Sequence, residues 1–281
     1  MRRTTRLTLA LVALFVAAIS PAFADDSLKR VLAAKELRVG VALNAPWVIK
    51  RADGAYAGYD IDLTTALAQD LGVTPKFVEM PFRELVRRLA VGDVDIVASG
   101  LATTPERAKR VVFSDVTGAA DIRTVAAIDA IHNDNVADLD KANVRIAVLA
   151  GSTDEAAAKL TYPHATIVSL PTAADALAAL ASGDAQAMVA TAPVPELAAR
   201  LYDAKLRLVG GALTRTPEAF ALRPDDIRLQ QFVDNWIDAR MADGFIANVR
   251  DHWFSQFDWI NQLGGDTGDT GDASPPAPTA K

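Results

Sequence analysis

The stretch GDVDIVASGLATTPER, residues 92–107, decides the fold. Residues 94–98 are a short apolar run, typical of a strand that is buried on both faces. Thr104 is a favourable N-cap residue, and Pro105 suits the first position of a helix. The stretch therefore predicts a strand, a loop and a helix start in direct succession.

The loop after this strand is a candidate binding site, because ligands of open parallel sheets collect beyond the carboxyl ends of strands. The small residues Ser99 and Gly100 permit close approach to the backbone. The amide groups of residues 102–104 are expected to point at an anion. Arg107 offers a bidentate fork of donors to a carboxylate. The alternative is an ordinary capped turn with a surface arginine.

Strand-like and helix-like patterns alternate on both sides of this stretch. Strands are predicted at 37–42, 76–80, 94–98, 145–149, 166–170 and 187–189. Helices are predicted at 82–91, 153–160, 172–181 and 195–203, two more within 225–255, and one that Asp60 or Asp62 caps and Gly72 ends. This alternation implies parallel sheets covered on both faces. Crossing segments near 113–130 and 215–222 divide the pattern into two α/β lobes, a hinged clamp.

A second candidate site follows strand 145–149. Ser152 and Glu155 have the spacing of a capping box, and Gly151 permits backbone approach. A plain helix start explains the same residues. The presence of one such site in each lobe favours binding at both.

Composition excludes several classes of function. The chain of 281 residues has no cysteine, which excludes disulfides, thiolate metal sites and cysteine nucleophiles. Its histidines, His132, His164 and His252, lack metal-ligand spacing, so neither a metal site nor a cofactor is expected. A net charge of −6 and a pI near 5.1 argue against nucleic-acid binding.

The two ends of the chain differ from the rest. Residues 1–24 combine Arg2, Arg3 and Arg6 with a short apolar run and an Ala-x-Ala site, which predicts a secretory signal peptide cleaved after Ala24. A transmembrane anchor is the alternative, but the apolar run is short for one. Cleavage would leave 257 residues with a charge of −9, exported to the periplasm. Residues 263–281 are predicted to be a disordered acidic and proline-rich tail.

Several motifs, in order and spacing, are similar to those of the family 3 periplasmic solute-binding proteins, the polar amino-acid receptors of ABC importers. They are Leu37-Arg38-Val39-Gly40-Val41, Gly58-Tyr59-Asp60-Ile61-Asp62-Leu63, Leu71-Gly72-Val73, Gly92-Asp93-Val94-Asp95-Ile96-Val97, Thr104-Pro105-Glu106-Arg107, Val112-Phe113-Ser114, Gly151-Ser152-Thr153, Asp243-Gly244-Phe245 and His252-Trp253-Phe254. The resemblance covers about residues 30–258.

This resemblance implies a periplasmic binding protein type II fold, with two α/β lobes joined by a two-crossing hinge. The implied domains are a first lobe begun by residues 25–122, a second lobe of 123–215, and a return to the first lobe over 216–262. It also implies site residues. Arg107 would pair with the ligand carboxylate, helped by the amides of Ala102 and Thr153, and Gly100 would offer its carbonyl to an ammonium group. The other ligand-binding candidates are Phe82, Trp47, Asn44, Ser152 and Thr191, although core packing also explains Phe82 and Trp47.

Three positions depart from the family pattern. Asn44 replaces an aromatic residue, and Ala102 replaces a hydroxyl residue. Thr191 stands where the family has the aspartate that binds an α-ammonium group, and its loss removes roughly 1–3 kcal/mol of charge-assisted binding. An amino acid, a modified amino acid or a related small carboxylate therefore remains open. Glu218 or Asp154 is a possible substitute charge.

Three functions remain open at this stage. The first is a monomeric binding protein that closes on its ligand and docks on an ABC permease of the inner membrane. The second is an enzyme, since the chain also resembles, more weakly, the cyclohexadienyl dehydratases, with Glu218 where that family has its general acid. The motifs behind this second resemblance are Asp234-Asn235-Trp236-Ile237, His252-Trp253 and Trp259. The third is a sensor or accessory protein on the same scaffold.

Overall fold

The computed structural model describes residues 27–132 and 135–257. The predicted signal peptide, the predicted tail and Trp259 lie outside the described residues.

The first lobe begins with a strand that has parallel neighbours on both sides. Strand β1 (Glu36–Val41) pairs with β4 (Thr74–Glu79) and with β5 (Ile96–Val97). The remaining elements of this segment are α1 (Ser27–Ala34), β2 (Ile49–Lys50), β3 (Tyr56–Ala57), α2 (Tyr59–Asp70), a 3₁₀ turn (Phe82–Glu84), α3 (Leu85–Ala90) and α4 (Pro105–Ala108). Strands were predicted at 76–80 and 94–98, but the first begins two residues earlier and the second is much shorter.

Two long antiparallel strands connect the lobes. They are β6 (Val112–Ala127) and β10 (Leu206–Leu222), and they lie side by side in the centre of one eight-stranded sheet. The strand order is β4-β1-β5-β10-β6-β9-β7-β8. The predicted crossing segments are therefore parts of these two strands, which make the sheet continuous through both lobes.

The second lobe repeats the alternation of strands and helices. Strand β7 (Arg145–Leu149) pairs in parallel with β8 (Thr166–Leu170) and with β9 (Ala187–Thr191). The helices between and after them are α5 (Thr153–Thr161), α6 (Ala173–Ser182) and α7 (Val194–Leu201), with 3₁₀ turns at Ile128–Ala130 and Val136–Leu139. The predicted strands 145–149 and 166–170 match to the residue.

The C-terminal helices return to the first lobe. Helix α8 (Ile227–Ala242), α9 (Phe245–Asp251) and a π-helical turn (His252–Gln256) pack into the same apolar cluster as β1 and α2. Trp236 donates its indole hydrogen bond to Asp70, and Trp253 donates to Asp62, both at 2.7 Å. These contacts fasten the end of the chain to α2.

The predicted capping of α2 is wrong. Gly58 precedes the helix with a φ of 131°, and a Cβ there would lie 2.3 Å from the carbonyl oxygen of Trp47. Asp60 and Asp62 fall inside the first turn instead. Their carboxylates accept hydrogen bonds from distant parts of the chain, the Gly100 amide and the Trp253 indole. Tertiary contacts therefore use the two aspartates that were expected to cap.

The lobes are in contact across the cleft. Leu149 of the second lobe belongs to the apolar cluster of Phe82 and Leu101 in the first. Leu197 of α7 likewise joins the main cluster of the first lobe. Apolar side chains of the two lobes therefore pack against each other across the cleft. Within residues 27–132 and 135–257, no helix has the length and apolarity needed to cross a membrane.

Candidate functional site

The loop after β5 is tied to two neighbouring elements of the first lobe. Ser99 Oγ accepts a hydrogen bond from the Ala42 amide at 3.0 Å and donates to its carbonyl at 2.9 Å. The Gly100 amide donates to Asp60 Oδ2 at 2.6 Å. Gly100 has a φ of 61°, and a Cβ there would lie 2.6 Å from the Trp47 ring. Only glycine fits beneath this tryptophan.

The helix start at Thr104 is confirmed. Thr104 Oγ1 accepts a hydrogen bond from the Arg107 amide at 3.2 Å, and Pro105 occupies the first turn. The expected anion-facing amides are only partly available, because the Thr103 amide donates to the Pro217 carbonyl at 2.9 Å. The Thr103 amide is therefore not free to bind an anion in this structure.

Arg107 reaches across the cleft. Its Nη1 donates to the Ala102 carbonyl at 2.7 Å, and its Nη2 donates to the Gly151 carbonyl of the second lobe at 3.2 Å. The guanidinium carbon lies 5.7 Å from the centroid of the Phe82 ring. Burial lowers the pKa of Arg107 to about 10, and Asp154 opposes that shift. The side chain stays charged at neutral pH while its hydrogen bonds go to neutral carbonyls.

The second-lobe wall is built on the start of α5. Ser152 Oγ accepts a hydrogen bond from the Glu155 amide at 3.2 Å, so the predicted cap forms. The carboxylate of Glu155 returns to the Gly151 amide at 2.7 Å, one residue before the position that a capping box requires. Thr153 is the first helical residue. This wall therefore presents the carbonyl of Gly151 to the cleft.

Asp154 brings a buried carboxylate to the same wall. Thr191 Oγ1 donates to its Oδ1 at 2.7 Å. Burial raises the pKa of Asp154 to about 6, and the hydrogen bonds from Thr191 and the charge of Arg107 act against that rise. Asp154 and Arg107 are therefore opposite charges on facing walls of one cleft.

Glu218 lies on the hinge strand β10 and is buried. Its Oε2 accepts a hydrogen bond from Trp47 Nε1 at 3.2 Å and lies 3.6 Å from Arg250 Nη1. Burial raises the pKa of Glu218 to about 7, while Arg250 and Trp47 favour the charged form. Trp47 itself is buried and meets Phe254 edge to face at 5.2 Å. Core packing, the alternative raised for Trp47, is thus part of its role.

Two cavities open where the lobes meet. One of about 240 Å³ is lined by Phe82, Leu101, Arg107 and Gly151, among others. The other, of about 460 Å³, is lined by first-lobe residues that include Phe82 and Met80 and by Pro171 and Thr172 of the second lobe. Phe82 lines both cavities, so it separates the arginine end of the cleft from a larger, partly apolar space.

The remaining predicted residues have definite places. Asn44 Nδ2 donates to the Ser99 carbonyl at 3.5 Å, which puts this side chain on the Gly100 loop. Sequence reasoning missed Asp60 and Arg250 as members of the site. The aspartate is visible in its motif, but nothing in the sequence near Arg250 indicates that it reaches the hinge. In the described part of the chain, no group of three acidic or histidine side chains is arranged to hold a metal ion.

Comparison with known proteins agrees with this architecture. The model of the bacterial extracellular solute-binding proteins, family 3, matches residues 37–256. The L-arginine-binding protein of Pseudomonas aeruginosa is 31% identical over 245 residues, covering 84% of this chain and 91% of that protein. Cyclohexadienyl dehydratase of the same organism is 26% identical over 238 residues, covering 84% of this chain and 88% of that protein.

Among solved structures, an ancestral amino acid-binding protein, described as a precursor of cyclohexadienyl dehydratase, superimposes with a TM-score of 0.75. It is 36% identical and covers 82% of this chain and 100% of its own. The expected type II fold is confirmed by this likeness.

Proposed function

Because this chain belongs to the bacterial extracellular solute-binding proteins of family 3, we propose that it captures an amino acid or related small carboxylate between its lobes. The single observation that carries the proposal is the environment of Arg107. A half-buried guanidinium that is hydrogen-bonded only to carbonyl oxygens among the described residues is a strong donor set without an anionic hydrogen-bond acceptor. A ligand carboxylate supplies that partner.

Closure of the lobes is the proposed mechanism of capture. Arg107 belongs to the first lobe, and the Gly151 carbonyl that it contacts belongs to the second. A ligand bound to Arg107 gains contacts with both walls only in the closed state. It therefore shifts an existing equilibrium between open and closed forms towards the closed form.

Asp154 is the proposed partner for a positive group of the ligand. Thr191 occupies the position at which the family resemblance implies an aspartate, and its hydroxyl donates to Asp154 instead of meeting the ligand as a charge. Asp154 of α5 is thus the proposed substitute for the aspartate that the resemblance implies on β9, and it lies on the same second-lobe wall. Glu218, the other substitute charge considered, is already bound to Trp47 and Arg250.

A role in transport completes the proposal. The predicted signal peptide directs the chain to the periplasm, and the closed monomer would present one face of both lobes to an ABC permease. No cofactor is needed for this role. A sensor or accessory protein would use the same ligand cleft and differ only in the partner that reads the closed form.

A thermal-shift screen over the amino acids, dicarboxylates and aromatic acids tests the proposal. A ligand that binds only the folded state stabilises it and so raises the melting temperature. At a ligand concentration of 100 Kd the free energy of unfolding increases by about 2.7 kcal/mol. The expected result is a carboxylate-bearing hit. A screen in which no acid raises the melting temperature would contradict capture of a small carboxylate.

A second candidate function is a dehydratase, and the state of Glu218 is the observation that favours it. A buried carboxyl group whose pKa burial raises to about 7 can donate a proton at neutral pH, as a general acid must. The test is incubation with prephenate, followed by a search for phenylpyruvate in the wild type and in Glu218→Gln. Absence of product in the wild type rejects this function.

A further inference from the structure

The C-terminal helix α9 places one arginine against both strands of the hinge. Arg250 Nη2 donates to the Ala119 carbonyl of β6 at 2.7 Å, and Nη1 lies 3.6 Å from Glu218 Oε2 of β10. Gly118 makes room for the side chain, since a Cβ there would lie 2.3 Å from Nη1. Arg250 therefore contacts the two crossing strands at the same level.

Aromatic rings hold the guanidinium in this position. Its carbon lies 4.1 Å from the centroid of the Phe254 ring and 5.7 Å from that of Tyr59. The Tyr59 hydroxyl in turn donates to the Thr117 carbonyl of β6 at 2.6 Å. A partly buried guanidinium stacked on aromatic faces is restricted in its orientation.

The hinge strands are irregular where Arg250 meets them. The register of β10 against β6 shifts between Glu218 and Ala219 and again between Ala219 and Ala221. Breaks in a ladder are places where a strand bends and where a hinge absorbs changes in backbone angles. The arginine is thus bound at a point where the ladder between the two crossing strands is interrupted.

Glu218 carries the contact onward to the cleft. The carboxylate oxygen that faces Arg250 also accepts the hydrogen bond from Trp47 Nε1 at 3.2 Å. The Trp47 ring covers Gly100, and Ala102 forms an antiparallel bridge with Glu218. A chain of direct contacts therefore runs from α9 through the hinge to the loop that carries Arg107.

Acidic groups outnumber basic groups around this chain of contacts. Asp60, Glu218 and Asp154 are buried carboxyl groups, Tyr59 is a buried hydroxyl, and Arg250 is the cation that faces both Asp60 and Glu218. Burial raises the pKa of both Asp60 and Glu218; the charge of Glu218 adds to the rise at Asp60, and that of Asp154 adds to the rise at Glu218, while Arg250 lowers the pKa of both. Removal of Arg250 leaves these two carboxyl groups without the cation that stabilises their charged forms.

We propose that Arg250 is a positioning residue of the ligand site: through Glu218 it fixes the hinge strands and holds Trp47 over the Gly100 loop. Its role in ligand binding rests on the proposed function, but the coupling from Arg250 to Trp47 does not. Arg250 touches no part of the cleft directly, so its effect on the cleft passes through Glu218.

The test reads the Trp47 indole by NMR. The full chain has four tryptophans, and Trp47→Phe identifies which indole N–H resonance belongs to Trp47. In the wild type this resonance is expected to titrate with Glu218. In Arg250→Met the apparent pKa should rise by about 1 unit or more, and Arg250→Lys should restore most of the difference. Glu218→Gln should abolish the titration.

Arg240→Met is the matched control, because Arg240, in the last turn of α8, pairs with Asp243 at the C-cap of that same helix. Arg240→Met should leave the Trp47 resonance unchanged. In every variant, Trp236 and Trp253 resonances at their wild-type positions show that the first lobe is folded. An unchanged Trp47 titration in folded Arg250→Met overturns the proposal. If that variant does not fold, Glu218→Gln decides: a Trp47 resonance that still titrates as in the wild type overturns it.

Binding of L-arginine, used as a probe, separates this inference from the proposed function. If the wild type binds the probe, Arg250→Met should weaken binding at least about tenfold, or 1.4 kcal/mol, with Arg240→Met unaffected. Equal affinity in wild type and Arg250→Met overturns the positioning role. If no acid binds the wild type but the Trp47 titration shifts as expected, the coupling stands and the proposed function fails.

Discussion

Arg107 Nη2 and the Gly151 carbonyl oxygen lie 3.2 Å apart across the cleft. The donor belongs to the first lobe and the acceptor to the second, so this hydrogen bond joins the two lobes. The Gly151 carbonyl accepts a hydrogen bond from Nη2 of Arg107. A carboxylate would accept a stronger hydrogen bond from the same nitrogen, because it is charged. The guanidinium of Arg107 is therefore the proposed contact both for the ligand carboxylate and for the second lobe.

Gly151→Ala should hinder closure. A Cβ at Gly151 would lie 2.7 Å from Arg83 Cβ of the other lobe, and the residue has a φ of 78°. We expect ligand affinity to fall about tenfold or more, equivalent to 1.4 kcal/mol, in isothermal titration. Gly183→Ala is the control, because Gly183 has a φ of 85° but no atom within 4 Å of its Cβ position. Equal affinities in the two variants would contradict the interlobe clash.

Asp154→Asn should discriminate between ligands with and without an α-amino group. The substitution removes the buried charge but can keep the hydrogen bond from Thr191, so the wall stays intact. Affinity for an amino acid should fall about tenfold to a hundredfold, whereas affinity for the same acid without its amino group should change little. The double variant Asp154→Asn/Thr191→Asp should recover binding. Equal losses for both ligands would show that Asp154 does not bind the ammonium group.

Stability should fall as pH rises from 5 to 7. Burial raises the pKa of Asp60 and Glu218 to about 7 and that of Asp154 to about 6. These folded-state values exceed the unfolded ones, so the native state binds more protons than the unfolded state between about pH 4 and 7. Each group contributes a slope of up to about 1.4 kcal/mol per pH unit.

Melting temperatures measured across pH 5–8 check this dependence. Carboxylates whose pKa is lowered, such as Glu79 and Asp140, are protonated only below pH 5. They therefore do not alter the expected fall of stability between pH 5 and 7. Glu218→Gln should have a shallower slope than the wild type. A melting temperature that rises between pH 5 and 7 would contradict the burial of these carboxyl groups.

Asp95 should be a stability residue with no effect on the ligand. Its buried carboxylate accepts hydrogen bonds from the Arg38 amide at 2.9 Å and from Arg38 Nη2 at 2.7 Å, and it also pairs with Arg30. Asp95→Ala should cost about 2–4 kcal/mol, because it leaves two partly buried arginines unpaired. Asp93→Ala, which breaks an exposed pair with Arg88, should cost less than about 1 kcal/mol. Urea unfolding of both variants tests the difference.

Apolar runs made much of the fold predictable from sequence. Strand β7 matches its prediction because its buried positions are all aliphatic or small, and β8 matches because Ile167, Val168 and Leu170 occupy its half-buried positions. The start of β10 was missed, since most residues from Arg207 to Pro217 are exposed or half-exposed and the strand is defined by its pairing with β6. Local pattern indicates burial, whereas pairing between polar strands depends on the partner.

The candidate site was predictable only in part. Thr104 and Ser152 are N-cap residues, and such residues can be recognised from the local sequence, so the loops that carry them were predictable. The contacts of Arg250 and Asp154 join residues far apart in the chain, Glu218 and Thr191 among them. Spacing within a motif carries no information on such pairs, so only the fold reveals which carboxylate faces which cation.

The most direct test of the central claim is isothermal titration of the best carboxylate from the thermal screen into wild type, Arg107→Lys and Arg107→Met. Binding of a ligand carboxylate to Arg107 predicts at least a hundredfold loss of affinity in Arg107→Met, about 2.7 kcal/mol, and a smaller loss in Arg107→Lys, which keeps the charge without the fork. Arg87→Met, at an exposed first-lobe arginine that pairs with Glu84 and lines neither cavity, should bind like the wild type. Wild-type affinity in Arg107→Met would contradict the account.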